Sequence, residues 1–349
     1  MLGFPLALIY KFFDDQGNYL AAMVAYYAFI AIFPLLLLAS SILGFVLQGN
    51  PDLQERMLDS ALSQFPIIGD QLGRQEGLSG STSGVIIGAL AATYGAMGLG
   101  QAIQNTMNTA WTVPRNSRPN PILLRAKSLV LLATAGMAVV GVSTVSILGS
   151  NAEIFSPAAN SAIRWLIRIA SIVVVGLMLT LLFTMATARD HPFWSAAPGA
   201  FTLAIGWQVL QLVGTTYVEK VINVTDGMNK TFALVLGLVG FLYLMAVAGI
   251  VGIEVNVVLV RRLWPRALLT PFTDRVDLTD ADRRAYASYV LMARHKGFET
   301  VAVSFEGRDG DTHEIIMDPS WARRQGKQKP PGDDPHMIAS VVDPEPHSP

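Results

Sequence analysis

Six stretches of this chain are long, apolar and free of internal charge: residues 20–47, 84–104, 128–150, 169–188, 194–217 and 232–253. A hydrocarbon core of about 30 Å is crossed by about 20 helical residues at roughly 1.5 Å each, and every stretch reaches that length. Buried helices of a water-soluble protein would need a polar face, which these stretches lack. Composition agrees: 52% of the 349 residues are hydrophobic, only 15% are charged, and the mean hydropathy is +0.43. The charge is unevenly placed, with 27 of the 51 charged residues falling after residue 260. The sequence predicts an all-α polytopic membrane protein, with six transmembrane helices within residues 20–262 and a small C-terminal unit of soluble composition.

Loop charge orients the helices, because short cytoplasmic loops are enriched in Lys and Arg. The link around 105–127 holds Arg115, Arg118, Arg125 and Lys127 and no acid, which marks it cytoplasmic. Residues 49–83 carry Arg56 and Arg74 against Asp52, Glu55, Asp59, Asp70 and Glu76, which suits the outer side. Arg261, Arg262 and Arg266 follow the sixth stretch, so both termini are expected in the cytoplasm, with nine flanking cations inside and six outside. Trp111, Trp165, Trp194 and Trp264 fall at stretch ends, where an amphipathic ring sits at headgroup level. Residues 1–19 read as an inner interfacial segment. Leu53, Met57, Leu58, Ala61, Leu62 and Phe65 recur at helical spacing opposite charges, predicting an outer amphipathic helix over about 51–65.

Past residue 271 the pattern becomes that of a soluble α+β unit over 272–320. Thr279 with Asp282 resembles a capping box at the head of a helix running to about Lys296. ETVAVSF alternates as a strand, EGRDGD offers a turn and THEIIMD returns as its partner. A unit this small is expected to dock on the membrane domain or on a second subunit. Residues 321–349, rich in Pro, Gly, Asp and Ser, are expected to be disordered.

Polar groups inside the apolar stretches need a reason. Glu254 lies near the inner end of the sixth helix; it reads either as a proton or headgroup site or as the ion-pair partner of Arg125, Lys127 or Arg189. Tyr94, Gln101, Asn105 and Asn108 share one helical face, as do Gln208, Gln211 and Thr215. Such stripes suit a polar pathway or interhelical hydrogen bonds equally. Pro34 predicts a kink or steep tilt in the first helix.

Several chemistries are unsupported. The chain has no cysteine, which removes disulfides and thiol nucleophiles, and its five histidines show no metal-ligand spacing. Nucleotide-binding loops, hydrolase elbows and zinc-protease signatures are missing, and the net charge of −1 gives no basic field for nucleic acid. The expectation is therefore a non-enzyme with no cofactor and no metal, whose partners are membrane lipids and, given glycines such as Gly84 and Gly88, a second copy in a homodimer.

AAMVAYYAFIAIFPLLLL at 21–38, QAIQNTMNTAWTVP at 101–114, PGAFTLAIGW at 198–207 and GIEVNVVLVRR at 252–262 together resemble the YihY/BrkB family of membrane proteins. The helix–hairpin extension is similar to that of actinobacterial members of its YhjD branch. The resemblance implies a six-helix bacterial inner-membrane protein linked to envelope integrity. It carries motif positions over to Tyr26, Tyr27, Pro34, Asn108, Trp111, Pro198, Gly199, Glu254 and Asn256, while Ala31 or Ile32 stands where the family pattern has a Ser. Family members long carried a ribonuclease label, which nothing in this sequence supports. The functional expectation is a transporter-like bundle handling a lipid or amphiphile, with Tyr26, Tyr27, Pro34, Tyr94, Gln101, Asn105, Asn108, Gln208, Gln211, Glu254 and Asn256 along its path. The alternative is a non-transporting scaffold that recruits partners through its tail.

Overall fold

The structure is a computed structural model, and it describes residues 3–46, 82–151, 160–187, 192–225, 228–274, 276–306 and 312–317. Each apolar stretch falls on one long helix: α2 (Gly17–Val46), α3 (Thr82–Ala110), α4 (Pro121–Asn151), α5 (Asn160–Ala186), α6 (Phe193–Tyr217) and α7 (Met228–Arg261), preceded by α1 (Gly3–Asp14). Among the described residues, Ile169–Ala186, Phe193–Ile222 and Asn229–Arg261 are long and apolar enough to cross a membrane, and Gly17–Ile32 is a shorter apolar helix.

The helices overrun the hydropathy limits for local reasons. α4 begins at Pro121 because Asn120 caps it, its Oδ1 accepting the Leu123 N–H at 2.8 Å, and a proline is tolerated at the first helical position. α7 continues through Glu254 to Arg261, since in an apolar medium a backbone that leaves the helix abandons its own hydrogen bonds. α2 is helical throughout, Pro34 included.

Each helix packs against the next in chain order, and α7 returns against α2, so α2 to α7 close into a ring; α1 lies along α7. Close approach is built in at Gly98 of α3, where a Cβ would come within 2.5 Å of the Tyr27 ring of α2. One end of the ring gathers the end of α3, the starts of α4 and α6 and the end of α7 around a core of Met107, Trp111, Leu131, Phe183, Ala200 and Val257. Trp111 is only 2% exposed there, so it is a core residue and not the headgroup anchor that its place in the sequence suggests. Trp194, 72% exposed, keeps the expected outward position.

Beyond α7 the chain turns into α8 (Asp280–Met292), which starts on a complete capping box. The Thr279 hydroxyl accepts the Asp282 N–H, and the Asp282 carboxylate accepts the Thr279 N–H at 3.0 Å. The helix stops at Ala293, short of Lys296. β1 (Val301–Glu306) pairs antiparallel with β2 (Thr312–Met317) in the register Val301↔Met317 to Glu306↔Thr312, and α8 packs on β1. Arg294 holds the unit together, donating to the Met317 carbonyl at 2.7 Å, and its own carbonyl accepts the Asn116 N–H from the α3–α4 link. The outer helix expected over 51–65, the tail 321–349, Arg189 and the side chains of Pro34, Arg164, Trp165 and Arg168 lie outside the described residues.

Candidate polar site at one end of the helical ring

Two polar side chains near the end of α7 face in different directions, because residues two apart on a helix lie about 200° apart. Asn256 faces α6. Its Oδ1 accepts the Gly199 N–H at 2.7 Å and its Nδ2 donates to the Ala196 carbonyl at 2.9 Å. Pro198, inside α6, has no N–H and so interrupts the helix's own ladder beside that point. The two helices nearly touch: a Cβ on Gly252 would lie 2.7 Å from the Gly199 carbonyl oxygen, and a Cβ on Gly199 would overlap the Gly252 carbonyl.

Glu254 is fully buried, and among the described residues neither carboxylate oxygen has a hydrogen-bond partner. The charges acting on it are those of Asp15, Lys11 and Asp14, at the junction of α1 and α2. The expected cationic partners lie elsewhere or outside the described residues. Lys127 donates to the Thr187 carbonyl at 2.9 Å, and Arg125 is exposed.

Around Glu254 a buried ionic cap joins the two ends of the chain. Lys11 pairs with Asp15 and donates to the Tyr289 hydroxyl of α8 at 3.1 Å, and that hydroxyl donates to Asp15 at 2.6 Å. Arg266, past the end of α7, pairs with Asp282 at the head of α8 and with Asp14 at 3.1 Å. Asp282 also accepts the Ala267 N–H at 2.9 Å. Arg261 reaches the Trp111 carbonyl and the Thr112 hydroxyl, bracing a backbone that takes a φ of 46° at Thr112.

Burial dominates the electrostatics of this cap. It pushes the Asp15 carboxyl above the ordinary carboxylate range in spite of Lys11 and the Tyr289 hydroxyl, and the Asp14 carboxyl likewise in spite of Arg266. Burial and then the Asp15 and Asp14 charges raise the Tyr289 phenol well above its usual value. Asp282 goes the other way: burial is outweighed by the bonds from the Ala267 N–H, the Thr279 hydroxyl and Arg266, which hold it below the usual range.

Of the residues singled out in the sequence, Glu254, Asn256 and Asn108 are buried at this end of the ring. Tyr26 and Tyr94 are 62% and 71% exposed; Gln101 and Asn105 are also exposed, and Asn105 accepts from Arg118 at 3.3 Å. Tyr27, Gln208 and Gln211 are half-buried. Sequence reasoning missed Gln104, which is buried and donates to Ser128 at 2.9 Å and to the Leu124 carbonyl at 3.0 Å. It also missed the whole cap, since Lys11 and Arg266 read as flanking loop charges. Among the described residues no group of three His, Asp or Glu is arranged to hold a metal ion.

Residues 8–272 match the family model described as Virulence factor BrkB. Inner membrane protein YhjD of Escherichia coli is 24% identical over 253 residues, covering 68% of this chain and 74% of that protein. A UPF0761 membrane protein of Halorhodospira halophila is 29% identical over 216 residues, 58% of this chain but only 47% of the relative. An uncharacterized protein of Dickeya dadantii is 23% identical over 255 residues, 68% of this chain and 76% of its own length. No solved structure matches.

Proposed function

The chain belongs to the virulence factor BrkB family, and from that premise we propose that it handles a lipid or amphiphile at the inner leaflet of a bacterial inner membrane, with Glu254 as the charge that gates the site. In this reading α2 to α7 are six spans and both termini are cytoplasmic, as the uncompensated cations of the α3–α4 link favour. The similarity to an inner membrane protein of Escherichia coli supports the location. Envelope integrity is the physiological role that follows.

One observation carries the reading: a fully buried carboxylate with no donor on either oxygen among the described residues. Removing such a group from water without compensation costs several kcal/mol, so its retention inside a span favours a function over a packing role. Asn256, on the same helix, has both ends of its amide paired with the α6 backbone. A cationic headgroup or a transferred proton supplies what Glu254 lacks, and the neighbouring Lys11 and Asp15 provide a second arrangement for the charge to exchange with.

Native mass spectrometry of gently extracted protein tests this. Wild type should carry a discrete, stoichiometric lipid that Glu254→Gln loses, with expression and helicity unchanged. Heterogeneous annular lipid, the same in both proteins, would sink the proposal.

A second reading, a scaffold that recruits partners, draws on the cleft of about 450 Å³ between the post-α7 linker, α8 and the hairpin, lined by Asp274, Asp277, Arg283, Tyr286, Glu306 and His313. It requires that Glu306→Ala with His313→Ala abolish complementation of a deletion strain while Glu254→Gln complements fully.

A further inference from the structure

α1 buries a cation and exposes apolar groups. Its buried side carries Lys11 beside Ala7 and Tyr10, with Asp15 just beyond its end, while Pro5, Ile9 and Phe13, four residues apart and so on one face, are exposed. Ile9 is 51% exposed and Phe13 is 56%. A helix at a water-exposed surface shows the reverse arrangement, charge outward and apolar groups inward. The apolar face of α1 does not end with α1. The turn after α7 sets Phe272 edge-on to both Tyr10 and Phe13, with ring centroids 6.5 and 6.4 Å apart. In the same turn Leu268, Leu269 and Phe272 are 72%, 59% and 69% exposed.

This turn is held in place, not left to flop. Leu269 takes a φ of 65°, a region that bulky residues avoid, and its N–H donates to the Tyr10 hydroxyl at 2.8 Å. Its carbonyl accepts from the Phe272 and Thr273 N–H groups at 2.8 and 3.1 Å. The root of the turn is fixed by Ala267 donating to the capping Asp282 of α8. A strained backbone therefore presents two leucines and a phenylalanine outward, beside an outward phenylalanine from the opposite end of the chain. Val260 is 38% exposed at the end of α7, eight residues before Leu268, and exposed cations at the same end of the ring, Arg115, Arg125 and Arg262, match phosphate headgroups.

We propose that Ile9 and Phe13 of α1, with Leu268, Leu269 and Phe272, form a membrane-inserted foot seated in the headgroup–acyl boundary where α7 ends, tying α8 and the hairpin to the bilayer surface. The occupant is lipid, because the surface follows directly on the end of α7, a helix long and apolar enough to cross a membrane, with exposed Arg262 between them. The foot goes beyond the gating reading and does not depend on Glu254.

The absence of native cysteine allows a clean test on the full chain. Single variants Phe13→Cys, Leu268→Cys, Phe272→Cys and, as the water-exposed reference on the hairpin, Glu314→Cys carry a nitroxide label in phosphatidylethanolamine–phosphatidylglycerol proteoliposomes. Collision rates with oxygen, which partitions into lipid, and with a nickel chelate, which stays in water, are then compared. The proposal expects the oxygen-to-nickel ratio at 13, 268 and 272 to exceed that at 314 several-fold. Nickel accessibility equal to that of 314 would overturn it. So would shielding from both reagents, which would put protein, such as a second copy, on this face. Leu268→Glu with Phe272→Glu provides a second readout: limited proteolysis should release the hairpin faster in vesicles and at the wild-type rate in detergent, and equal rates in both would also count against the foot.

Discussion

Asn256 and Glu254 stand two residues apart on α7 and represent opposite solutions to the same problem. Both are buried polar side chains at the end of an apolar helix. Asn256 makes a donor and an acceptor bond to the backbone of α6 at a point where Pro198 breaks the ladder. It is a rivet between two helices that glycines allow to touch. Glu254, under the charges of Asp15, Lys11 and Asp14, makes no hydrogen bond among the described residues. The difference teaches that burial alone does not mark a site. The separation is made by whether the surrounding fold completes the group or leaves it open.

The comparison yields predictions in decreasing order of effect. The cap beside Glu254 depends on paired charge, so Lys11→Met leaves Asp15 buried without its cation and should destabilise the protein by about 3–5 kcal/mol. Calorimetry in detergent should show most of that loss restored by the double variant Lys11→Met with Asp15→Leu. Next, Asn256→Leu strands the Gly199 N–H and the Ala196 carbonyl, at roughly 1–3 kcal/mol for each unsatisfied group. Its melting temperature should fall well below that of wild type. Glu254→Gln sharpens the contrast: stability should stay within about 1 kcal/mol of wild type or rise, because a neutral amide is easier to bury, while lipid capture is lost. A destabilisation as large as that of Asn256→Leu would make the two residues equivalent and remove the distinction.

The smallest effect is on pH. Asp14 and Asp15 are raised above the ordinary 3.8, so between that value and their folded values the native state holds more protons than the unfolded one. Their contribution to docking of α1 on α8 strengthens as pH falls through that window. Asp282 is lowered, so its contribution is present above 3.8 and is lost as pH falls through its folded value. The protection of α8 amides relative to their intrinsic exchange rates should therefore rise on mild acidification and then fall in stronger acid. A monotonic profile would show that one of the two groups does not act.

The sequence made the scaffold legible because the signals for it are local. Uncharged runs long enough to cross a bilayer all became helices, Thr279 and Asp282 formed the reciprocal cap that their spacing predicts, and the strands within ETVAVSF and THEIIMD paired antiparallel. Glu254 stood out because a carboxylate inside an apolar run has no cheap explanation. What stayed hidden was long-range. Lys11 and Arg266 counted as flanking cations, since loop charge carries no mark of whether a distant partner will bury it. Trp111 sits where an interfacial ring belongs, and only the packing of residues distant in sequence, from Ala7 to Val257, makes it core. Gln104 and Gln101 are three apart on α3, and helical spacing alone does not say which of their faces turns inward.

The ionic cap also sets an order of assembly. Lys11 meets Tyr289 across 278 residues of sequence and Asp14 meets Arg266 across 252. At a synthesis rate of about 5–20 residues per second, α1 waits roughly a quarter of a minute to a minute for the segment that neutralises it. During that interval its charges are unpaired while its apolar side already suits the bilayer surface. α1 is thus made well before it can be locked, and a chain not yet extended to residue 289 carries an open ionic clasp at α1.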